Sequence, residues 1–376
     1  MQKVQTPLYL QQILSFNKPI IDTMTRQVAI LDHTGTIILT NKAWDMFTEK
    51  NGGTPSTCGV GVNYLEICKN SSAQEVYREL EKVLLGQSEE YTLEYPCPTD
   101  KQQRWFLMHV NPIEYKLDSG FFKGMIIQHI DITEKKEFEI KMKNELALAK
   151  SIQLDILPSE VNLDIIRISA LYKPCKELSG DIYHWQKISD HQYVVAIFDI
   201  VSHGISASLL SMQTVSSFRS ILEHTVELPL IVKQLNKHVD SLYKDNARTY
   251  FTALILLIDM ESKTIEYINC GHPHGILINN QNDLQLLSDG TIPIGMLSNL
   301  PSVESYFVSY EPNSSIFLYT DGLMDHMSIS KDYSTKKFTN WAKEGSFTRR
   351  NMEAYFQSTK HQEQTDDITM IFIDLF

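Results

Sequence analysis

Apolar and polar positions along this chain follow three different rhythms, and each marks out a segment. Gln27 to Leu31 (QVAIL) and Thr36 to Leu39 (TIIL) are short β-forming runs. They flank Asp32-His33-Thr34-Gly35, a turn with glycine where a positive φ is tolerated, so the pair predicts a hairpin. Asn41 to Phe47 opens a short helix, and Ala73 to Leu85 has helical periodicity that stops at Gly86. Three strand-like runs follow, Glu90 to Tyr95, Arg104 to Ile113 and Phe122 to Ile130.

The rhythm then changes. From about residue 134 to Pro158 the chain is dense in Glu and Lys, lacks glycine and consists of good helix formers. Met142, Leu146, Ala149, Ile152 and Ile156 make an apolar seam with spacings of 4, 3, 3 and 4. That spacing predicts a short parallel coiled coil, with a solvated amphipathic helix lying on its own domain as the alternative. Beyond Pro158 come apolar runs that read as strands, such as Tyr193 to Phe198 and Ile316 to Thr320.

At 376 residues the chain exceeds one ordinary core. The segmentation predicts an α+β protein with a small domain over 17–134, a helical connector over 135–158 and a larger domain over 159–376. A net charge of −12 argues against a nucleic-acid partner. The five cysteines (Cys58, Cys68, Cys97, Cys175, Cys270) are scattered and form no CxxC pair, so neither zinc nor a disulfide framework is indicated. No apolar run approaches the roughly 20 residues of a membrane span. With no signal-peptide pattern at the N-terminus, a cytoplasmic protein without membrane contact is expected.

The chemistry is concentrated in acids beside strands. Asp199 closes VVAIFD, Asp321 follows IFLYT and precedes Gly322, Asp366 and Asp367 stand before ITMIFIDLF, and Asp181 lies in LSGDIY. Singly, each reads as a polar strand cap. If the strands belong to neighbouring sheets the acids converge, and converging carboxylates repel unless a cation sits among them. Ligands that are all oxygen select Mg²⁺ or Mn²⁺.

Two resemblances sharpen this reading. The opening hairpin and closing Asp131-Ile132-Thr133 make the first domain similar to PAS sensor domains, which implies ligand sensing, dimerisation or both, with no particular ligand indicated. Asn63-Tyr64-Leu65, with Cys68 displaced, departs from the flavin-photoadduct run, and His109 in a strand-like run reads as surface or core, not as a haem ligand. In the second domain, LSGDIY, FDIVSHG, Thr252-Ala253, NCGHP (269–273), IPIG (292–295), YTDGL and Asp366-Asp367-Ile368-Thr369 occur in the order found in metal-dependent PPM serine/threonine phosphatases of the SpoIIE/RsbU branch.

That second resemblance implies two antiparallel sheets flanked by helices and two Mn²⁺ or Mg²⁺ ions that activate a water. Asp199 would bridge the ions with help from the carbonyl of Ile200, Asp181 would serve one side, Asp321 and Asp366 the other, with Asp367 as a weaker metal ligand or a residue just outside them. It also implies a phosphorylated STAS-domain anti-anti-sigma protein as substrate, and the PAS-plus-helix front half implies a homodimer. The chain departs from the pattern at His184, where a second acid is usual, at Ser202, where glycine is usual, and at Cys270, read as a small buried hydrophobe. These departures keep open a weakly catalytic module that only sequesters the partner. His203 and His272 read as structural, and the basic residues Lys336, Lys337, Arg349 and Arg350 as a solvated face.

Overall fold

A computed structural model describes residues 16–70, 73–98, 103–117, 120–201, 204–242, 249–327, 348–359 and 364–376. The chain divides into two compact units, Met1–Lys143 and Asn144–Phe376.

The first unit is built on five antiparallel strands, β1 (Gln27–Asp32), β2 (Ile37–Thr40), β3 (Tyr91–Pro98), β4 (Gln103–Leu117) and β5 (Gly120–Asp131), in the order β2-β1-β5-β4-β3. The predicted hairpin is present. Asp32 accepts the backbone N–H groups of Thr34 and Thr36, and Gly35 at φ 81° completes the turn. A side chain at Gly35 would meet Leu65 at 2.4 Å, so glycine also lets the neighbouring helix close on the turn. Four short helices cover one face: α1 (Lys42–Lys50), α2 (Pro55–Cys58), α3 (Tyr64–Lys69) and α4 (Gln74–Leu84). Asn41 caps α1 through Trp44 N–H and also holds Val28 N–H and three carbonyls upstream, so one buried amide locks the strand to the helix. Leu31, Leu80, Val110, Met125 and Ile127 form the core between sheet and helices. The connector is one helix, α5 (Thr133–Ile156), which begins in the first unit and ends in the second.

The second unit is a sandwich of two six-stranded sheets. One carries β8 (Ile182–Ser189), β9 (Gln192–Ile200), β10 (Phe251–Asp259) and β11 (Thr264–Cys270) as neighbours, with β14 (Gly290–Thr291) and β15 (Tyr306–Ser309) on β11. The other runs β13 (Leu284–Leu287), β12 (Gly275–Ile278), β16 (Ser314–Tyr319), β17 (Ile368–Leu375), β7 (Ile166–Lys173), β6 (Val161–Asn162). All pairings are antiparallel except β11 with β14.

Both faces of each sheet are covered, which explains the unbroken apolar runs. Along β9, Val195 and Ile197 face the other sheet, while Val194, Ala196, Phe198 and Ile200 face the helices α6 (Ile205–Leu222) and α7 (Leu228–Leu242). Along β17, Ile371 and Ile373 face the sandwich, while Met370 and Phe372 pack on the opposite helical layer, α8 (Asp321–His326) and α9 (Arg349–Ser358). The unit is therefore four layers thick, helix–sheet–sheet–helix. This agrees with the expected β-sandwich flanked by helices. Among the described residues no helix is long and apolar enough to cross a membrane.

Candidate metal centre

Strand parity decides where the acids point. Tyr183 and Trp185 face the gap between the sheets, so Asp181, one residue before β8, has the same inward parity. Asp199 shares the parity of Val195 and Ile197, and Asp367 that of Ile371 and Ile373. The antiparallel pairings put the start of β8 beside the end of β9 (Ile182 opposite Phe198), and the start of β17 beside the end of β16 (Met370 opposite Tyr319). Asp321 opens α8 directly after β16. Asp181, Asp366 and Asp367 therefore precede their strands, while Asp199 and Asp321 come at the far end of theirs.

The acids are tied together by a buried hydrogen-bond network. Thr320 Oγ1 donates to Asp181 Oδ2 at 2.7 Å and accepts Thr369 N–H at 2.9 Å, so one hydroxyl links the two sheets. Asp367 accepts Cys175 N–H on Oδ1 and Gly180 N–H on Oδ2, both at 2.7 Å, which fixes the loop leading into Asp181. The Asp366 carboxylate accepts Asp367 N–H at 2.8 Å. Gly322 is required by close approach, because a Cβ there would lie 2.0 Å from the carbonyl oxygen of Asp367. Ile200 ends β9 with its side chain in the helix-facing core, so only its backbone is available to a ligand.

The electrostatics show mutual repulsion in a poorly hydrated place. Burial, and next the charge of Asp199, push Asp181 well above the usual carboxylate range. Asp199 is pushed up to about 7, first by burial and then by Asp321, Asp366 and Asp367. Asp366 is also raised, chiefly by burial. Asp199 thus feels the charges of Asp321, Asp366 and Asp367, and Asp181 those of Asp199 and Asp367. Among the described residues no three His, Cys, Asp or Glu side chains are drawn onto a single ligand point. The hydrogen bonds give the reason for two of them: Asp181 and Asp367 are turned onto protein donors. Asp199, Asp321 and Asp366 carry only oxygen donors, and the raised Asp199 and Asp366 call for positive charge. That chemistry fits Mg²⁺ or Mn²⁺.

Other predicted residues fall as follows. His184 faces the helices, with its ring 6.1 Å from that of Phe218, and burial lowers it to about 4. It is part of the helix-facing core and lies outside the inward row of acids. His272 is buried in its loop, bonded through Nδ1 to Thr252 Oγ1 at 2.8 Å and through its backbone to Asn269. Thr252 pairs with Asp199 across β9 and β10, so that loop backs the strand bearing Asp199. Cys270 is fully buried among apolar side chains. Arg349 is bound to Glu160 and Glu353. Ser202, His203, Lys336 and Lys337 lie outside the described residues.

Two contributors escape sequence reasoning. Thr320 reads only as the end of an apolar run. Gln153, on α5, reads as a polar position on the connector, yet it is 1% exposed. Its amide donates to Ser179 O at 2.8 Å and Ser211 Oγ at 3.2 Å, and its Oε1 accepts Ser179 N–H at 3.1 Å. Gln153 thus grips the backbone two residues before Asp181. The hint was a glutamine placed beside the Ile152 and Ile156 seam.

With this geometry in hand, the comparisons with known proteins are specific. The family described as Stage II sporulation protein E (SpoIIE) matches residues 189–376, half of the chain. Phosphoserine phosphatase RsbP of Bacillus subtilis (strain 168) is 34% identical over 192 residues, covering 50% of this chain and 47% of that protein. Phosphoserine phosphatase RsbU of the same organism is 25% identical over 210 residues, covering 54% of this chain and 51% of its own. The chain spans about half the length of these curated relatives. The SiaA-PP2C domain of Pseudomonas aeruginosa shares the fold, with a TM-score of 0.53 and 18% identity over 63% of this chain and 98% of that one.

Proposed function

The chain belongs to the SpoIIE family, and on that premise we propose that it is a metal-dependent phosphatase that removes phosphate from serine or threonine of a partner protein. The observation that carries the reading is the gathering of Asp181, Asp199, Asp321, Asp366 and Asp367 at one end of the sandwich, with burial and mutual repulsion raising Asp181, Asp199 and Asp366.

Asp199 with the Ile200 carbonyl, Asp321 and Asp366 would hold two Mn²⁺ or Mg²⁺ ions, and Asp181 would complete one side by exchanging its Thr320 hydrogen bond for a cation. Bound ions would supply an activated water and the positive charge that receives a phosphoryl group. Asp367 serves from outside, since both its oxygens position the loop that carries Asp181. His184 belongs to the helix-facing core, so its lack of a carboxylate gives little support to a binding-only module.

The substrate class proposed is a phosphoserine- or phosphothreonine-bearing STAS-domain anti-anti-sigma protein, supported by the phosphoserine phosphatases among the relatives. The first unit, with its five-stranded sheet and helices on one face, is proposed as a PAS-type sensor in a cytoplasmic homodimer. Exposed Met142 and Ile152 on α5 support pairing of two connector helices. Gln153 gives that helix a physical grip on the loop before Asp181.

The test is release of phosphate from a phosphoserine-bearing STAS-domain protein with and without Mn²⁺. Turnover that needs Mn²⁺ and vanishes in Asp199→Asn is expected. Persistent partner binding without turnover, at excess Mn²⁺, would overturn the enzyme assignment in favour of sequestration.

A further inference from the structure

The first unit contains a cavity of about 250 Å³ between its helices and the sheet. Rings make up much of its wall, from Trp44, Phe47, Tyr64, Tyr95 and His129, and Gln27, Thr48 and Asn51 add polar side chains. Resting on the sensor reading of this unit, we infer that this cavity is a binding site for a small, uncharged, planar aromatic molecule carrying one hydrogen-bonding group, which the imidazole of His129 would meet.

Size sets the first limit. An engineered apolar cavity of roughly 150 Å³ holds benzene, and drug-sized ligands occupy roughly 300–1,000 Å³. A volume between these suits one ring with a few substituents, or two small fused rings, and excludes a tetrapyrrole or a dinucleotide.

The walls set the shape. Trp44 and Tyr64 meet at 61° with centroids 6.1 Å apart, Trp44 and His129 at 51° and 5.4 Å, and Tyr95 and His129 at 81° and 5.8 Å. Tilted and edge-on rings present both faces and edges to the space between them, the surroundings in which another ring packs well. These walls are held in place beforehand. Trp44 Nε1 donates to Cys58 O at 2.9 Å, and the Tyr95 hydroxyl is bonded to His129 Nδ1 at 2.7 Å. Side chains already fixed lose little freedom when a ligand arrives.

Charge sets the remaining limit. No Asp, Glu, Lys or Arg is among the described residues lining the cavity. Burial keeps His129 neutral, lowered to about 4, and raises Tyr64 and Tyr95. A charged ligand would enter without a counter-ion, at high desolvation cost. With Nδ1 engaged by Tyr95, Nε2 is the His129 nitrogen left to bond a ligand hydroxyl, carbonyl or ring nitrogen.

The experiment uses the full chain and 4-fluorophenol, followed by ¹⁹F NMR, with 4-fluorobenzoate and 4-fluorobenzylamine as charged counterparts. Saturable broadening and shift are expected for the phenol, with at least tenfold weaker binding of either charged probe. Ile67, a wall residue that is 41% exposed, accepts a larger side chain without reaching into the core. Ile67→Trp should therefore weaken the phenol at least tenfold, and His129→Phe about tenfold through loss of one hydrogen bond. No saturable response to 4-fluorophenol at millimolar concentration, equal binding of 4-fluorobenzoate, or undiminished binding in both variants would overturn the assignment. The charged-probe comparison needs no variant, so it stands even if a substitution disturbs folding.

Discussion

Replacing Gln153 with alanine tests the claim that the connector helix positions the acid cluster. The substitution removes three hydrogen bonds at once, to Ser179 O, Ser211 Oγ and Ser179 N–H. Ser179 O keeps a bond from Ser211 Oγ at 3.3 Å, so only the Ser179 N–H is stranded in a buried place. A stranded buried N–H costs roughly 1–3 kcal/mol, and the lost methylene burial adds about 0.8 kcal/mol. The loop then relaxes at a cost of about 3 kcal/mol relative to its present form, and Asp181 sits two residues downstream. If that relaxation opposes cation binding in full, affinity falls about a hundredfold, and a tenfold loss is the expected minimum. The assay is the Mn²⁺ dependence of p-nitrophenyl phosphate hydrolysis, read beside denaturant unfolding. Half-saturation should rise at least tenfold while turnover at saturating Mn²⁺ recovers, and Gln153→Leu, which fills the volume without the bonds, should behave alike. Loss of stability with an unchanged Mn²⁺ half-saturation would refute the reasoning and leave Gln153 as a packing residue.

Thr320→Val removes the donor to Asp181 and the acceptor of Thr369 N–H, so it should cost about 2–4 kcal/mol in denaturant unfolding; a change below about 0.5 kcal/mol would contradict the network. Gly322→Ala places a Cβ 2.0 Å from Asp367 O, forcing α8 away from the loop before β17; a lower Tm together with weaker Mn²⁺ binding is expected, and a neutral result would contradict the close approach. His129 is lowered from 6.5 to about 4 by burial, so its folded pKa is depressed. Its contribution of about 3 kcal/mol is present above pH 6.5 and is lost as pH falls from 6.5 toward 4. Amide exchange of the first unit should show protection falling across that window, less steeply in His129→Phe; equal slopes in both proteins would count against it.

Much of the architecture was legible because the signals were local. Gly35 after Asp32-His33-Thr34, the Gly86 stop and the apolar run of β9 each need only a few neighbours to be read. The acids were legible as a set because each stands beside a strand. What each one does was less so, because it depends on partners far along the chain: Asp367 meets Gly180 across 187 positions, and Thr320 meets Asp181 across 139. Strand parity turns His184 toward Phe218 and Asp181 inward, and no spacing rule shows which face of a two-faced buried sheet will hold the acids. Gln153 was hidden for a different reason. A glutamine on a charged helix reads as solvated unless the surface that buries it is known.

Asp199 is proposed as a residue that would hold the divalent ions, and Mn²⁺ electron paramagnetic resonance tests that most directly. Titrating the full chain should silence the free-ion signal of about two Mn²⁺ per chain if the site follows two-metal chemistry. Asp199→Asn, with an unchanged melting profile, should leave nearly all of that signal free. Equal Mn²⁺ uptake by the variant and the parent protein would contradict the account.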